Sequence, residues 1–292
     1  MIIYQPQNIL LKSYVGHMVS MTLRKGGLSS IVDMPTGDVF ISIFVGNAQC
    51  TYQSKSYYEV IKGKAYVASR QLEMAYLNVE DGEMRVIGIK LPPHALYQLL
   101  GISQEEVTGK IFLLEDFWGK DVESLCQQLE EQTNPASQLN MVEHFLSKKM
   151  MSCQMKVNST IDEAIFLIRI SKGNISMSDL SAKLRVSSRT IQRKFLEAVG
   201  ISPKAYCNVI RFNNAFSQLI TYQKNIQDIV SEAGYYDQSH MIHHFQKVAG
   251  KSPSQLVEEQ ERFLYFFKQE AWHEGVDDLA NTLSSMYKLC LF

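Results

Sequence analysis

Three of the seven histidines, His240, His243 and His244, fall within five residues in the stretch YYDQSHMIHHF near the C-terminal end of the chain. Imidazoles at i, i+3 and i+4 on a helix lie on neighbouring turns, a spacing that suits a shared metal ion or a proton relay. About 50 residues upstream, SSRTIQRKF offers a different chemistry, with Arg189, Gln192 and Arg193 on one helical face. An arginine fork matches O6 and N7 of guanine, and a glutamine amide matches N6 and N7 of adenine, so this face carries groups that read base edges. Which chemistry the chain uses depends on the elements that hold these residues.

At 292 residues the chain is long enough for two domains, and its 46% apolar content supports ordinary cores. The longest apolar strand-like run, VFISIFV, closes on Gly46, far short of the roughly 18 residues that a membrane helix needs. The N-terminus, MIIYQPQNILLKSY, lacks a basic region followed by a sustained apolar one, so a cytoplasmic protein is expected, with no membrane partner. Five scattered cysteines without a CxxC pair argue for reduced structural thiols rather than disulfides or a zinc site. The net charge of −1 hides an asymmetry. Residues 156–256 carry 13 Lys or Arg against 7 Asp or Glu, while the remaining residues carry 16 against 23. A basic module sits in acidic surroundings.

From Met1 to about Leu91, segments such as HMVSMTLRK, DVFISIFVG, TYQSKSYYEVI, KAYVAS, LEMAYLNVE and EMRVIGIKL are rich in β-branched and aromatic residues and are separated by turn signals. They predict a small antiparallel barrel or sandwich, cupin-like in its barrel form. Two amphipathic helices follow, with Val122, Leu125 and Leu129 on one face of the first and Leu139, Val142, Phe145 and Leu146 on the second. Asn134-Pro135 makes the turn between them, and the hairpin either packs on its own sheet or forms a homodimer interface. The fold class is therefore α+β and multidomain. Residues 1–150 are expected to form a β-rich domain ending in helices, 151–160 a linker, 161–257 an all-α domain and 258–292 a helical tail.

The all-α part contains an internal repeat. SMSDLSAKLRVSSRTIQRKFLEAVGISPKAY from Ser176 aligns with NIQDIVSEAGYYDQSHMIHHFQKVAGKSPSQL from Asn225, matching Phe195 to Phe245, Gly200 to Gly250 and Ser202-Pro203 to Ser252-Pro253. Each copy opens on a polar cap followed three residues later by Asp, which satisfies free N–H groups and suits the helix dipole. Each then has a short turn, a second cap (Ser187 or Asp237) and a helix closed by glycine. Two helix-turn-helix units are predicted.

These two segments, with the linking PKAYCNVIRFNNAFSQLI between them, resemble the paired modules of the AraC family of bacterial transcription regulators over residues 160–257. Ser181 and Val230 stand where that family usually has Ala. RVIGIKLPPHALYQLLG and KIFLLEDFWGKDVESLCQQL resemble the β-rich companion domain of some members. The resemblance implies a double-stranded DNA operator, RNA polymerase as a partner, and a companion domain that binds a small-molecule effector, dimerises, or both. It puts base contacts in the first module at Arg189, Gln192 and Arg193, and Ser188 beside them is a further candidate. In the second module, Gln238, Ser239, Ile242, His243 and Gln246 occupy the outward positions, with no Lys or Arg before Lys247. The first module is thus expected to supply most direct readout, and the second phosphate contacts with a few weak base contacts. Lys172, Lys183, Arg185, Lys204, Arg211 and Lys224 are candidates for the DNA backbone, which as a set would make binding steeply salt-dependent.

Two rival readings come from other classes. A metalloenzyme on the β-domain needs clustered ligands, but His17, His94 and His144 are far apart and form no HxH; no nucleotide-binding or nucleophile-elbow motif occurs either. No enzyme activity, metal or cofactor is expected. Alternatively, the β-domain binds no small molecule and serves only dimerisation or a partner protein, with Phe40, Phe44, Tyr66, Met74 and Tyr76 as plain core rather than cavity lining.

Overall fold

The computed structural model describes residues 1–258 except 13, 16, 26–27, 62–63, 69–73, 154–155, 157 and 222–224. The helical tail expected over 258–292 lies, from residue 259 on, outside the described residues.

The N-terminal part consists of two antiparallel sheets. One takes β1 (Ile2–Tyr4), β2 (Met18–Arg24), β4 (Val39–Gly46), β7 (Ala65–Ala68), β9 (Glu83–Leu91) and β10 (Ile111–Leu113), in the order β1-β2-β9-β4-β7-β10. The other takes β3 (Ser30–Asp33), β5 (Gln49–Ser54), β6 (Tyr58–Ile61) and β8 (Ala75–Asp81), in the order β3-β8-β5-β6. The barrel alternative is therefore corrected, because the sheets do not close on each other. Closure would need an edge strand of one sheet to bond an edge of the other, and all four edges are only three or four residues long.

Alternation along the two longest strands, β4 and β9, builds two layers of core. Ile41 and Ile43 of β4 and Ile87 and Ile89 of β9 face helices, and the register pairs Ile41 with Ile89 and Ile43 with Ile87. Phe44 and Val86 face the second sheet instead, which is why these strands read as almost continuous apolar runs. The helical cover comes from α1 (Ile9–Lys12), α2 (Ala95–Leu100), α3 (Glu115–Trp118), α4 (Lys120–Glu131) and α5 (Pro135–Ser152). Val122, Leu125, Leu129, Leu139, Val142 and Leu146 are buried against the first sheet, so the apolar faces of the hairpin pack within the domain. Asn134 caps α5 by accepting from the Ser137 N–H at 3.0 Å, with Pro135 in the first turn.

The C-terminal part is helical, with α6 (Ser159–Ile170), α7 (Met177–Leu184), α8 (Ser188–Val199), α9 (Pro203–Thr221), α10 (Ile226–Glu232) and α11 (Gln238–Ala249). Ile165, Leu180, Phe195 and Tyr206 belong to one core that joins α6, α7, α8 and the start of α9. Phe212, Phe216, Ile229, Met241 and Phe245 belong to another that joins the rest of α9 to α10 and α11. Among the described residues no helix is long and apolar enough to cross a membrane.

Candidate nucleic-acid interface

The repeat in sequence becomes a repeat in geometry. Ser176 accepts from the Asp179 N–H at 3.0 Å to start α7, and Asn225 accepts from the Asp228 N–H at 2.9 Å to start α10. Ser187 and Asp237 cap α8 and α11 through the N–H groups of Thr190 and His240. Gly200 and Gly250 close them at φ 78° and 70°, the left-handed turn that favours glycine. The inner turns differ. Gly234 takes φ 73° in the second module, whereas Arg185, a residue with a Cβ, takes φ 53° in the first. Ser181 donates to the Val186 carbonyl at 2.6 Å across that turn, so its hydroxyl has a partner there.

On α8, Ile191, Phe195 and Ala198 are buried, while Arg189, Gln192 and Arg193 are exposed and Ser188 is half-exposed. On α11, Met241 and Phe245 are buried, Gln238, Ser239, His243 and Gln246 are exposed, and Ile242 is half-exposed. Each set therefore lies on one solvent-facing side of its own helix. The two sets are not merged into one site; they sit on separate modules joined by α9, whose 19 residues span about 28 Å at about 1.5 Å per residue. Tyr236, 91% exposed beside the cap of α11, extends the second face and was not singled out from sequence. Its only signal there was an aromatic in a turn that needs none for packing.

Among the backbone-contact candidates, Lys172, Lys183, Arg185 and Lys204 are exposed. Arg211 is committed internally, its Nε donating to Asn174 Oδ1 at 3.1 Å and its Nη2 to the Gly173 carbonyl at 3.0 Å. Lys224 lies outside the described residues.

The histidines divide by environment. His243 belongs to the outward face. Nδ1 of His240 accepts from the Tyr236 N–H at 3.3 Å. His244 turns inward, with Nδ1 2.8 Å from the Tyr235 hydroxyl and its ring edge-on to Phe212. Burial, with Arg211, His240 and Lys247 adding to it, pushes the His244 imidazole down to about 4. This histidine is a neutral packing residue. The unfolded chain binds a proton at His244 near pH 6.5, so between about 6.5 and 4 it takes up a proton that the folded chain refuses. Stability from this residue falls as pH drops through that window. His244→Gln is expected to reduce the loss of urea midpoint between pH 7.5 and 5.0; an equal loss in both proteins would show that the folded chain binds a proton at His244 as readily as the unfolded one.

A cavity of about 190 Å³ lies between the two sheets, lined by Phe40, Phe44, Tyr66, Leu77 and Val86 with Gly88 open toward it. Met74 and Tyr76 are elsewhere, packed against the second helical module, so the expectation of five aromatic and Met lining residues holds for three. The polar lining includes His17, Asp33 and Lys90. Burial, then Lys90, pushes His17 down to about 4. Burial pushes Asp33 up to about 6, against the 2.7 Å bond from the Tyr52 hydroxyl. Among the described residues no group of three or more metal-ligating side chains comes together.

Solved structures similar to this chain include ToxT from Vibrio cholerae, at 15% identity over 82% of this chain and 97% of that one, with a TM-score of 0.48. A ToxT structure with an unsaturated fatty acid bound matches at 17% identity over 82% and 94%, with a TM-score of 0.48. The C-terminal domain of AraT, a response regulator from Geobacillus stearothermophilus, matches at 24% identity over 36% of this chain and 88% of that one, with a TM-score of 0.34. No curated protein sequence matches the chain. Residues 180–259 match the family described as a helix-turn-helix domain. With both modules capped, paired and presented as above, residues 180–259 of this chain are a helix-turn-helix domain.

Proposed function

We propose that the chain is a sequence-specific transcription regulator that reads two successive major grooves of an operator and is controlled by an apolar effector held between the sheets of its N-terminal domain. The observation that carries the DNA reading is the exposed Arg189, Gln192 and Arg193 face on a helix whose opposite side is fully packed. Groove centres on one face of a duplex are roughly 34 Å apart, a distance comparable to the length of α9 plus the modules at its ends. Ser188, Arg189, Gln192 and Arg193 would enter one groove, and Gln238, Ser239, Ile242, His243 and Gln246 the next. RNA polymerase and a second copy of the chain are further partners that this reading implies. Selection from random duplex DNA followed by footprinting tests it. A protected stretch of about two helical turns supports the reading, and failure to select any sequence overturns it.

The effector reading rests on the cavity, whose lining is mostly apolar with a few convergent polar groups. Its natural occupant is a small, mainly apolar molecule with one hydrogen-bonding end. Gly88 alternates with the buried Ile87 and Ile89 and has open space where a Cβ would stand. Gly88→Leu is therefore expected to fill the cavity, leave the fold intact and abolish binding of the apolar dye N-phenyl-1-naphthylamine, followed by fluorescence. Unchanged dye binding with an intact circular dichroism spectrum would place the effector elsewhere or favour a domain that only dimerises.

A further inference from the structure

The N-terminal domain holds both recognition helices, and it holds each one at the same end. At the C-terminus of α8, the Glu197 carbonyl accepts from the Gln104 N–H at 2.8 Å and the Gly200 carbonyl accepts from Thr108 Oγ1 at 3.1 Å. The Tyr97 hydroxyl donates to the Glu197 carboxylate at 3.1 Å. At the C-terminus of α11, the Val248 carbonyl accepts from the Met74 N–H at 3.2 Å. Just beyond, the Lys251 ammonium donates to the Tyr76 hydroxyl at 2.9 Å and stands 5.4 Å from the centre of that ring. The last carbonyls of a helix have no partner within it, so these bonds satisfy groups that would otherwise need water. They also leave the N-terminal halves of both helices, which carry all the outward residues but Gln246, uncovered.

Between the two grips the domains are tied by charge. The carboxylate of Asp38, 5% exposed, bridges Lys90 at 3.2 Å and Arg169 of α6. Arg169 Nε also donates to the Tyr206 hydroxyl at 2.9 Å. Burial alone would raise the Asp38 pKa, but Lys90 and Arg169 together hold its carboxyl below the usual range. Asn213 of α9 donates to the Pro35 carbonyl at 3.0 Å.

We propose that the N-terminal domain is a two-point clamp in which Gln104 and Thr108 position α8, Met74 and Tyr76 position α11, and Asp38 ties the two grips together. The clamp fixes the separation of the recognition helices and hence the half-site spacing that the chain accepts, a consequence that rests on the two-groove reading above. All of these are positioning residues; none of them reaches toward DNA.

The test uses the full chain in two arms. In hydrogen exchange, Asp38→Asn is expected to speed amide exchange at least fivefold in residues 102–108 and 246–251 as well as around residue 38. A change confined to the neighbourhood of residues 38 and 169 overturns the clamp. Thr108→Val and Lys251→Met each delete one bond of one grip without touching the buried triad; each is expected to loosen its own helix end, and these variants decide the matter if Asp38→Asn does not fold. In the second arm, two base pairs are inserted between the half-sites of a DNA selected with the wild-type chain. Wild type is expected to lose at least tenfold in affinity, and the released variants threefold or less. Equal losses overturn the positioning role. If no DNA is selected at all, the two-groove reading fails and the exchange arm alone decides whether the clamp exists.

Discussion

Arg193→Ala is expected to weaken binding to the selected operator by roughly ten- to a hundredfold, or about 1–3 kcal/mol, and to relax base preference at one position of one half-site. Arg193 is exposed on α8 one turn below Arg189, on the side opposite the buried Ile191, Phe195 and Ala198, so its truncation removes no core contact. Stability should be unchanged, which separates lost readout from lost folding. His243→Ala on α11 is expected to cost far less. Its neighbours on that face are neutral or uncharged, and a single imidazole lacks the two parallel donors with which arginine engages guanine. Titration of both variants against the same DNA decides the asymmetry between the modules; equal losses would show that the second module reads as strongly as the first.

Gly200→Ala is expected to destabilise the protein more than Gly250→Ala, although the two residues are equivalent in the repeat. Both adopt positive φ, 78° and 70°, so each substitution carries the same left-handed penalty of roughly 1–2 kcal/mol. Their surroundings differ. A Cβ on Gly200 would collide with Thr108 Oγ1 and stand 2.5 Å from the Gln104 carbonyl oxygen, which is backbone of the N-terminal domain; a Cβ on Gly250 meets nothing within 4 Å. Forcing a methyl into that contact adds about 1–3 kcal/mol, which corresponds to roughly 2–12 °C at about 2–4 °C per kcal/mol. Thermal denaturation of the two variants side by side measures the difference. Equal shifts would mean that the loop at Gln104 yields freely and that the α8 grip is weak.

The helical half was legible in the sequence because its signals are local. Capping residues, glycine closures and 3.6-residue periodicity all lie within a dozen residues of the element they specify, and Ser176, Ser187, Asn225 and Asp237 each cap the helix expected of them. The long strands β2, β4 and β9 were equally plain. Short ones were not: β1, β3 and β10 have three or four residues and take their identity from the neighbour they bond, Ile2 from Ser20, Ser30 from Asn78 and Ile111 from Ala68. Whether the sheets close into a barrel depends on those same edges, so it was not readable either.

The outward residues of α8 and α11 could be named from a helical wheel, since exposure on an amphipathic helix follows from which positions are apolar. What escaped the sequence was everything that joins the halves. Asp38 and Arg169 are 131 residues apart, and Tyr97 and Glu197 are 100 apart. No local pattern marks such pairs. Met74 and Tyr76 illustrate the same gap: as apolar residues in a β-rich segment they look like the interior of their own domain, yet they serve the core and the end of the second helical module. The histidine cluster shows the converse, since three identical side chains in five residues have three different environments, and only His243 belongs to the outward face.

The central claim is that two helix-turn-helix modules read neighbouring grooves and that the first, arginine-bearing module dominates. Methylation interference on the selected operator tests it most directly, because a methyl on guanine N7 blocks the atom that an arginine fork engages. The expected pattern is strong interference at guanines of one half-site and weak or no interference at guanines about one helical turn away. Equal interference in both half-sites, or a footprint on the same DNA that covers only one half-site, would contradict the claim.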